Sequence, residues 1–394
     1  MPSPWVESWH RLGTDGVSIS LAPTLLSGMT FRWQRSTAGT FIGVLDEQVV
    51  ELCEDATGVT FRCSGDATAA EQLLRAHLRL DNKSFCAYHN SAWSEGAISK
   101  EQRGLAEFRV AAANLPGVRV VQILSLLECV VSFLGSANNN IKRNMQMIES
   151  LCSTFPENLV ATDAYGAPRY RFPSCEQLAS LSEEALWELG WGYRAPRLFK
   201  CSRELLALGG AAHLDALGAK AEAEARASLC ALTGIGRKVA DCVLLFGYAF
   251  DGCVPVDTHC FQLAQRFLLP SHALRGRSLT ASVYEAIVAQ WHATFGAERA
   301  GHAFMALFVP ELSDFRKAIL GKAKAVAEAK AAVEVRAADA AACTPRCSRS
   351  KRQLTEEVAA DAPAAEPGTE AKPTQRRQRP STRAMALSPY FARS

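Results

Sequence analysis

No uninterrupted apolar run in this 394-residue sequence approaches the roughly 20 residues that cross a bilayer. The N-terminal stretch lacks both the apolar core of a secretory signal and the Arg-rich amphipathic pattern of an organelle presequence. Charge of one sign is scarce, with 43 Lys+Arg against 40 Asp+Glu and a net charge of +3. The basic excess sits in residues 335–394, which hold 11 Lys+Arg and 6 Asp+Glu, so the remainder is close to neutral. Any grip on a polyanion must therefore come from a local patch, with a modest salt dependence. No four cysteines cluster, which excludes a four-thiolate iron–sulfur loop. Cys343 and Cys347 lie together in a polar tail without two further ligands, so neither zinc nor any cofactor is expected. The 13 cysteines are scattered, and Cys129, Cys152, Cys230 and Cys242 fall inside apolar runs. That usage suits buried, reduced thiols rather than a disulfide frame.

What is present is 48% hydrophobic residues, enough for a large core and two or three domains. The most informative stretch runs from Leu232 to His259. Leu229, Leu232, Val239, Val243 and Phe246 recur at helical spacing on both sides of Gly234-Ile235-Gly236, which reads as helix, tight hairpin, helix. A glycine hairpin that opens a helix leaves backbone N–H groups unpaired at the positive end of the dipole, a site for a phosphate. Lys238 falls in the first turn of the second helix, where a cation is poorly placed. Partial burial there would depress its pKa and leave a nucleophilic amine. Nineteen residues on, Asp257 reads as the N-cap of an amphipathic stretch from Thr258 to Phe267. Taken singly, the lysine is also a solvated phosphate contact and the aspartate only a cap. Within one phosphate-binding unit, the amine and carboxylate favour chemistry.

Residues 17–65 alternate like an antiparallel sheet. Phe31 to Arg35 reads as a half-buried strand, Thr40 to Ile42 as one broken by Gly43, Val44 to Leu52 as its resumption, and Val59 to Cys63 as another. Helical periodicity takes over from Ala69, with Leu73, Leu74, His77 and Leu78 on one stripe. Gln122 to Phe155 is helical apart from Ser136-Ala137-Asn138-Asn139-Asn140, since three asparagines suit a loop or a helix start. A charged helix is expected from Lys322 to Val335. The tail after it is too poor in apolar residues to pack. Its basic runs, 348–352 and 376–379, read as import signals, a nonspecific DNA arm or plain solvated charge.

The run Leu-Thr-Gly-Ile-Gly-Arg-Lys-Val-Ala-Asp-Cys, followed by Val-Pro-Val-Asp-Thr-His, resembles the helix-hairpin-helix DNA glycosylases, specifically the eukaryotic-type 8-oxoguanine DNA glycosylases. The resemblance covers roughly residues 17–315. It implies an α+β fold in which an N-terminal antiparallel sheet domain (1–115) packs on a mostly helical two-domain core (116–318). The helix-hairpin-helix would span about 222–248, and a charged helix and disordered basic tail would fill 319–394. It also implies a bifunctional DNA glycosylase and abasic-site lyase acting on 8-oxoguanine opposite cytosine, with Lys238 as nucleophile and Asp257 as its electrostatic partner.

The same resemblance places Gly28, Cys242, Pro255, Phe304 and Phe308 in the base pocket. The Gly28 carbonyl would accept the N7–H that the lesion has and guanine lacks, and Phe308 would stack on the flipped base. DNA contacts would come from Gly234, Gly236, Val239 and His259. Asn138, Arg143 and Arg194 would read the orphaned cytosine beside a Tyr193 wedge. Phe304 departs from the family pattern, which has a hydrogen-bonding glutamine there, and Glu311 stands where aspartate is usual. Leu387-Ser388-Pro389-Tyr390-Phe391 looks like a degenerate sliding-clamp-binding box, with Ala384 in place of its usual glutamine. A monomer in the nucleus is expected, with no membrane partner; the mitochondrion stays open. Two alternatives are a noncatalytic helix-hairpin-helix module, which would need neither Lys238 nor Asp257, and a related glycosylase for other lesions.

Overall fold

Among the described residues an antiparallel sheet comes first, and mostly helices follow. The computed structural model describes residues 8–81, 114–269, 277–317 and 319, all within one compact unit, Met1–Ile319. The expected charged helix, the basic runs, the clamp box and Cys343 and Cys347 lie outside the described residues.

Five strands form one antiparallel sheet in the order β1-β5-β4-β3-β2. They are β1 (His10–Arg11), β2 (Gln34–Arg35), β3 (Phe41–Leu45), β4 (Gln48–Asp55) and β5 (Gly58–Cys63). Short helix α1 (Leu21–Leu25) precedes β2. The expected strand at Phe31–Arg35 shrinks to its last two residues. Gly43 does not break a strand either. It lies inside β3, and the chain turns at Asp46, which takes φ +53°. Gly43 is there for space: a β-carbon would sit 2.6 Å from the indole of buried Trp33. The glycine marks an indole packed flat on the sheet rather than a strand end.

Helix α2 (Ala67–His77) closes this part of the chain, capped by Asp66, whose side chain accepts from the Ala69 amide. Next come α3 (Leu126–Ser136) and α4 (Ile141–Ser153), which leave the asparagine triplet between them. Asn140 caps α4 by accepting from the Arg143 amide at 2.8 Å. A two-stranded hairpin that sequence patterning did not reveal follows, β6 (Leu159–Thr162) with β7 (Pro168–Tyr170). It packs on the larger sheet through Ala161 against Ile42, Val44 and Val49.

Further described helices include α5 (Cys175–Ser180), α6 (Glu183–Glu188), α7 (Ala195–Leu208), α8 (Ala211–Leu217), α9 (Glu222–Cys230), α10 (Arg237–Phe246), α11 (Thr258–Leu263), α12 (Ala281–Phe295) and α13 (Ala300–Phe308). Helix α3 is apolar almost all round and packs on α4, α8 and α10. Phe133 of α3 stacks on Phe246 of α10 at 5.2 Å, and Phe31 meets the edge of Phe133 at 5.5 Å. Each such buried ring contributes roughly 1.5–3 kcal/mol, so α3 and α10 form a rigid pair. Cys129, Cys152 and Cys242 are buried as expected, but Cys230 is exposed. The inward stripe of α9 falls on Ala225 and Leu229, which turns the next residue outward.

Candidate active site and nucleic-acid interface

Helices α9 and α10 meet through Gly234-Ile235-Gly236, as a helix-hairpin-helix requires. Gly234 takes φ +87°, and a β-carbon there would come within 2.9 Å of the Arg197 side chain on α7. Gly236 is extended, exposed and has open space before it. No side chain caps α10, so its first-turn amides keep their hydrogen-bonding capacity for a ligand. The Val239 side chain is buried at 5% exposure, so only its backbone amide is offered there.

Lys238, half-buried in that first turn, points back toward α3. Its Nζ donates to Ser136 Oγ at 3.4 Å and lies 5.9 Å from the centre of the Phe133 ring. Among the described residues no carboxylate lies within ion-pair distance of this amine. One turn on, the Cys242 thiol is pushed up to about 12 by burial, lowered in part by Lys238 and raised by Asp257. A single buried thiol thus lies within electrostatic range of both the amine and the carboxylate. Asp257 is half-buried at the start of α11, and its Oδ1 accepts from the Cys260 amide at 2.8 Å. Its other oxygen is left for other work.

The segment leading to Asp257 is anchored from behind. The Tyr284 hydroxyl donates to Asp241 at 2.6 Å and meets the Val256 amide at 3.0 Å. Asp241 is 1% exposed and also accepts from Arg226 at 2.6 Å and Arg237 at 3.2 Å. Burial, with Asp241 beside it, pushes the Tyr284 phenol well above its usual value, so it stays a donor. Sequence reasoning passed over Asp241 and Tyr284. The Arg237–Asp241 spacing of four residues was the available sign.

On the other side of Ser136 stands the asparagine loop. Asn138 is exposed and takes φ +48°. Arg194, 1% exposed, donates to the carbonyls of Ala137 and Asn138, the latter at 2.8 Å. Tyr193 is 44% exposed, donates to the Ala137 carbonyl at 2.8 Å, and carries Arg194 over its ring at 4.2 Å. Exposed Arg143 lies close enough to Arg194 to lower its pKa, after the larger effect of burial. Asn138, Arg143, Tyr193 and Arg194 therefore form one cluster, adjacent to Lys238 through Ser136. The inward turn of Arg194 onto main-chain carbonyls was not legible in the sequence.

A model of the 8-oxoguanine DNA glycosylase N-terminal domain matches residues 11–129, and a model of HhH-GPD superfamily base excision DNA repair proteins matches 131–292. The N-glycosylase/DNA lyase OGG1 of Arabidopsis thaliana is 33% identical over 310 residues, 77% of this chain and 80% of that protein. The chain belongs to the 8-oxoguanine DNA glycosylase family. The N-glycosylase/DNA lyase of Saccharomyces cerevisiae is 32% identical over 280 residues, 65% of this chain and 70% of its own. The fold matches that of Clostridium acetobutylicum 8-oxoguanine glycosylase/lyase, solved with double-stranded DNA containing cytosine opposite 8-oxoG. The TM-score is 0.62 at 21% identity, over 74% of this chain and 91% of that one.

In this glycosylase an aromatic file leads away from Asp257. Exposed His259 meets the edge of Phe308 at 5.6 Å, Phe308 lies 5.5 Å from Phe304, and Phe304 meets Trp291 edge-on at 5.7 Å. Phe304 is 4% exposed, whereas Phe308 is half-buried. Pro255 is buried just before Asp257. Glu311 accepts from Arg266 at 3.0 Å, an ion pair close to this file. Gly28 takes φ +86° at the bend after α1, with the Ile141 side chain 3.1 Å from where a β-carbon would stand. The Gly28 main chain is thus held against the start of α4, beside the asparagine loop. Ser136 and Phe133, which place the Lys238 amine, were read only as loop edge and helix interior.

Proposed function

We propose that this protein excises 8-oxoguanine and related oxidised purines opposite cytosine from duplex DNA, and then cleaves the abasic strand. One observation carries the reading: the Lys238 amine is held by Ser136 and Phe133 at the first turn of the uncapped second helix of a helix-hairpin-helix. The hairpin amides at Gly234, Gly236 and Val239 grip a phosphate. The lesion flips into the pocket at a cost of roughly a few kcal/mol for unstacking. Asn138, Arg143, Tyr193 and Arg194 fill the vacated place: the exposed Arg143 guanidinium meets cytosine's acceptors, Arg194 joins it by leaving the Ala137 and Asn138 carbonyls, and the tyrosine ring stacks. His259 contacts a flanking phosphate.

Lys238, as free amine, attacks C1′ of the deoxyribose. The C1′–N9 bond breaks, and the base leaves with the electron pair and takes up a proton. Asp257 stabilises the positive charge developing on the sugar and assists proton transfer. The secondary amine then opens the sugar ring to a Schiff base, and loss of a C2′ proton expels the 3′ phosphate. The Gly28 carbonyl accepts the lesion's N7–H, a donor where guanine presents a lone pair.

Lys238→Gln is expected to abolish borohydride trapping to DNA while duplex binding persists, and continued trapping would exclude this nucleophile. The protein acts as a monomer, with an N-terminal division near residue 115 and a tail beginning near 319. Its place is the nucleus, with the mitochondrion as a second site, and its C-terminal box docks on a sliding clamp. A peptide of residues 378–394 that failed to bind a clamp would remove that last partner.

A further inference from the structure

The residue before the hairpin is held by a carboxylate from a different helix. Glu204 of α7 accepts from the Thr233 amide at 2.7 Å with one oxygen and from the Thr233 hydroxyl at 2.6 Å with the other. Seven residues earlier on α7, two turns along the same face, Arg197 packs against Gly234 so closely that a β-carbon there would lie 2.9 Å away. The same Arg197 guanidinium lies over the Tyr193 ring at 5.4 Å. Helix α7 begins at Ala195, immediately after Tyr193 and Arg194. One face of one helix thus runs from the wedge to the hairpin and holds the hairpin's entry at two adjacent residues, Thr233 and Gly234.

We infer that Glu204 is a positioning residue for DNA binding, fixing the spacing between the Tyr193 wedge and the phosphate-binding amides through Thr233. The inference rests on the DNA-glycosylase reading of those two features. Wedge and hairpin touch different parts of one duplex, so their separation must match the helix geometry before both engage. A tyrosine seated in the base gap and a phosphate seated on the hairpin each restrict the other. Free play of the hairpin relative to α7 therefore appears as lost affinity. The reacting groups are held separately. Helix α10 packs on α3, with Phe246 stacked on Phe133, and Lys238 takes its direction from Ser136 and Phe133. A bidentate carboxylate is also stiffer than a single hydrogen bond, because two parallel bonds fix angle as well as distance.

The test uses the full chain and a duplex carrying one 8-oxoguanine opposite cytosine. Binding is measured in a Lys238→Gln background, and single-turnover excision at saturating protein is measured with Lys238 intact. Glu204→Ala should raise Kd roughly tenfold, the loss expected for hydrogen bonds to a charged group. It should also reduce the slope of log Kd against log salt by about one phosphate contact. The excision rate at saturation should stay within about twofold, since uniform binding rather than the transition state has been weakened. Glu204→Gln, which keeps one acceptor, and Thr233→Val, which keeps the amide donor, should fall between Glu204→Ala and the parent. Unchanged Kd and salt slope in Glu204→Ala would overturn the inference, whatever the change in melting temperature. So would a fall in the saturated rate as large as the fall in affinity, the mark of general loosening. A parent chain that bound duplex DNA without excising would sink the enzymatic reading instead, and the Kd comparison would still decide the role of Glu204.

Discussion

At the scale of single residues, the proposed base pocket includes a side chain that cannot hydrogen-bond. Phe304 touches Trp291 and Phe308 by ring contacts at 5.7 and 5.5 Å. It offers no donor or acceptor to a purine edge, so under the proposed function discrimination falls to the Gly28 carbonyl and to stacking. A site that hydrogen-bonds a ligand rejects analogues far more sharply than one that only packs against them. Phe304→Gln should therefore raise the preference for 8-oxoguanine over other modified purines by roughly 10-fold or more. Competitive excision from duplexes of each lesion measures it, and an unchanged profile would mean that position 304 does not face the base. Lys238 and Asp257 were legible in the sequence because their neighbours fix their setting: two glycines force a hairpin, and an aspartate before an amphipathic run caps it. Arg194 was legible as a turn residue but not in its direction. Two main-chain carbonyls from a loop 56 and 57 positions away hold it, and no local pattern records them.

At the scale of elements, the two hairpin glycines do different jobs. Gly234 needs the left-handed region and has Arg197 against it, so Gly234→Ala is strained in both backbone and packing. It should destabilise the fold by more than about 1 kcal/mol and weaken DNA binding as a consequence. Gly236 is extended with nothing within 4 Å. Gly236→Ala should leave thermal stability within about 0.5 kcal/mol yet weaken DNA binding, because the methyl group fills the space a phosphate would enter. Melting curves beside Kd values separate the two, and a Gly236→Ala chain with parental affinity would show that the phosphate does not approach there. The helix-hairpin-helix was readable because its apolar stripe has helical period on both sides of the break. The β3–β4 hairpin was misplaced because Gly43 was taken as the break, while Asp46 made the turn. The β6–β7 hairpin escaped notice because its two strands are only four and three residues long, too short for alternation to register.

At the scale of the whole molecule, a buried charge cluster ties the segment leading into the sheet to the helices that flank the asparagine loop. Arg32 is 3% exposed; it donates to the Tyr170 carbonyl of β7 and sits 3.8 Å from Glu128 on α3 and 3.7 Å from Glu149 on α4. Among the described residues its Nε and Nη1 have no hydrogen-bond partner, so charge rather than hydrogen bonding joins them to the two carboxylates. Burial, reinforced by Glu149 and opposed by Arg32, raises the Glu128 carboxyl from 4.5 to about 7. A carboxyl raised by folding favours the native state while protonated. That advantage is complete below the usual value and lost as pH climbs through about 7. His77 works in the other direction. It accepts from the Trp33 indole and is lowered by burial to about 4, so its contribution is present above 6.5 and lost as pH falls through about 4. The two slopes oppose each other between 4.5 and 6.5, so the parent's stability curve alone cannot assign either group. The difference between variants can. Glu128→Gln keeps the shape and removes the titration, so the loss of stability on going from pH 5 to pH 8 should be smaller than in the parent. Denaturant midpoints at both pH values measure it. An equal pH-dependent loss in Glu128→Gln and the parent would mean that this carboxyl does not titrate in the window. Arg32→Met is the companion change. It leaves two carboxylates facing each other across the α3–α4 pair without their cation, and should cost about 3–5 kcal/mol at pH 8. The cost should shrink toward pH 5 as Glu128 takes up a proton, and a cost independent of pH would show that packing rather than charge holds the cluster.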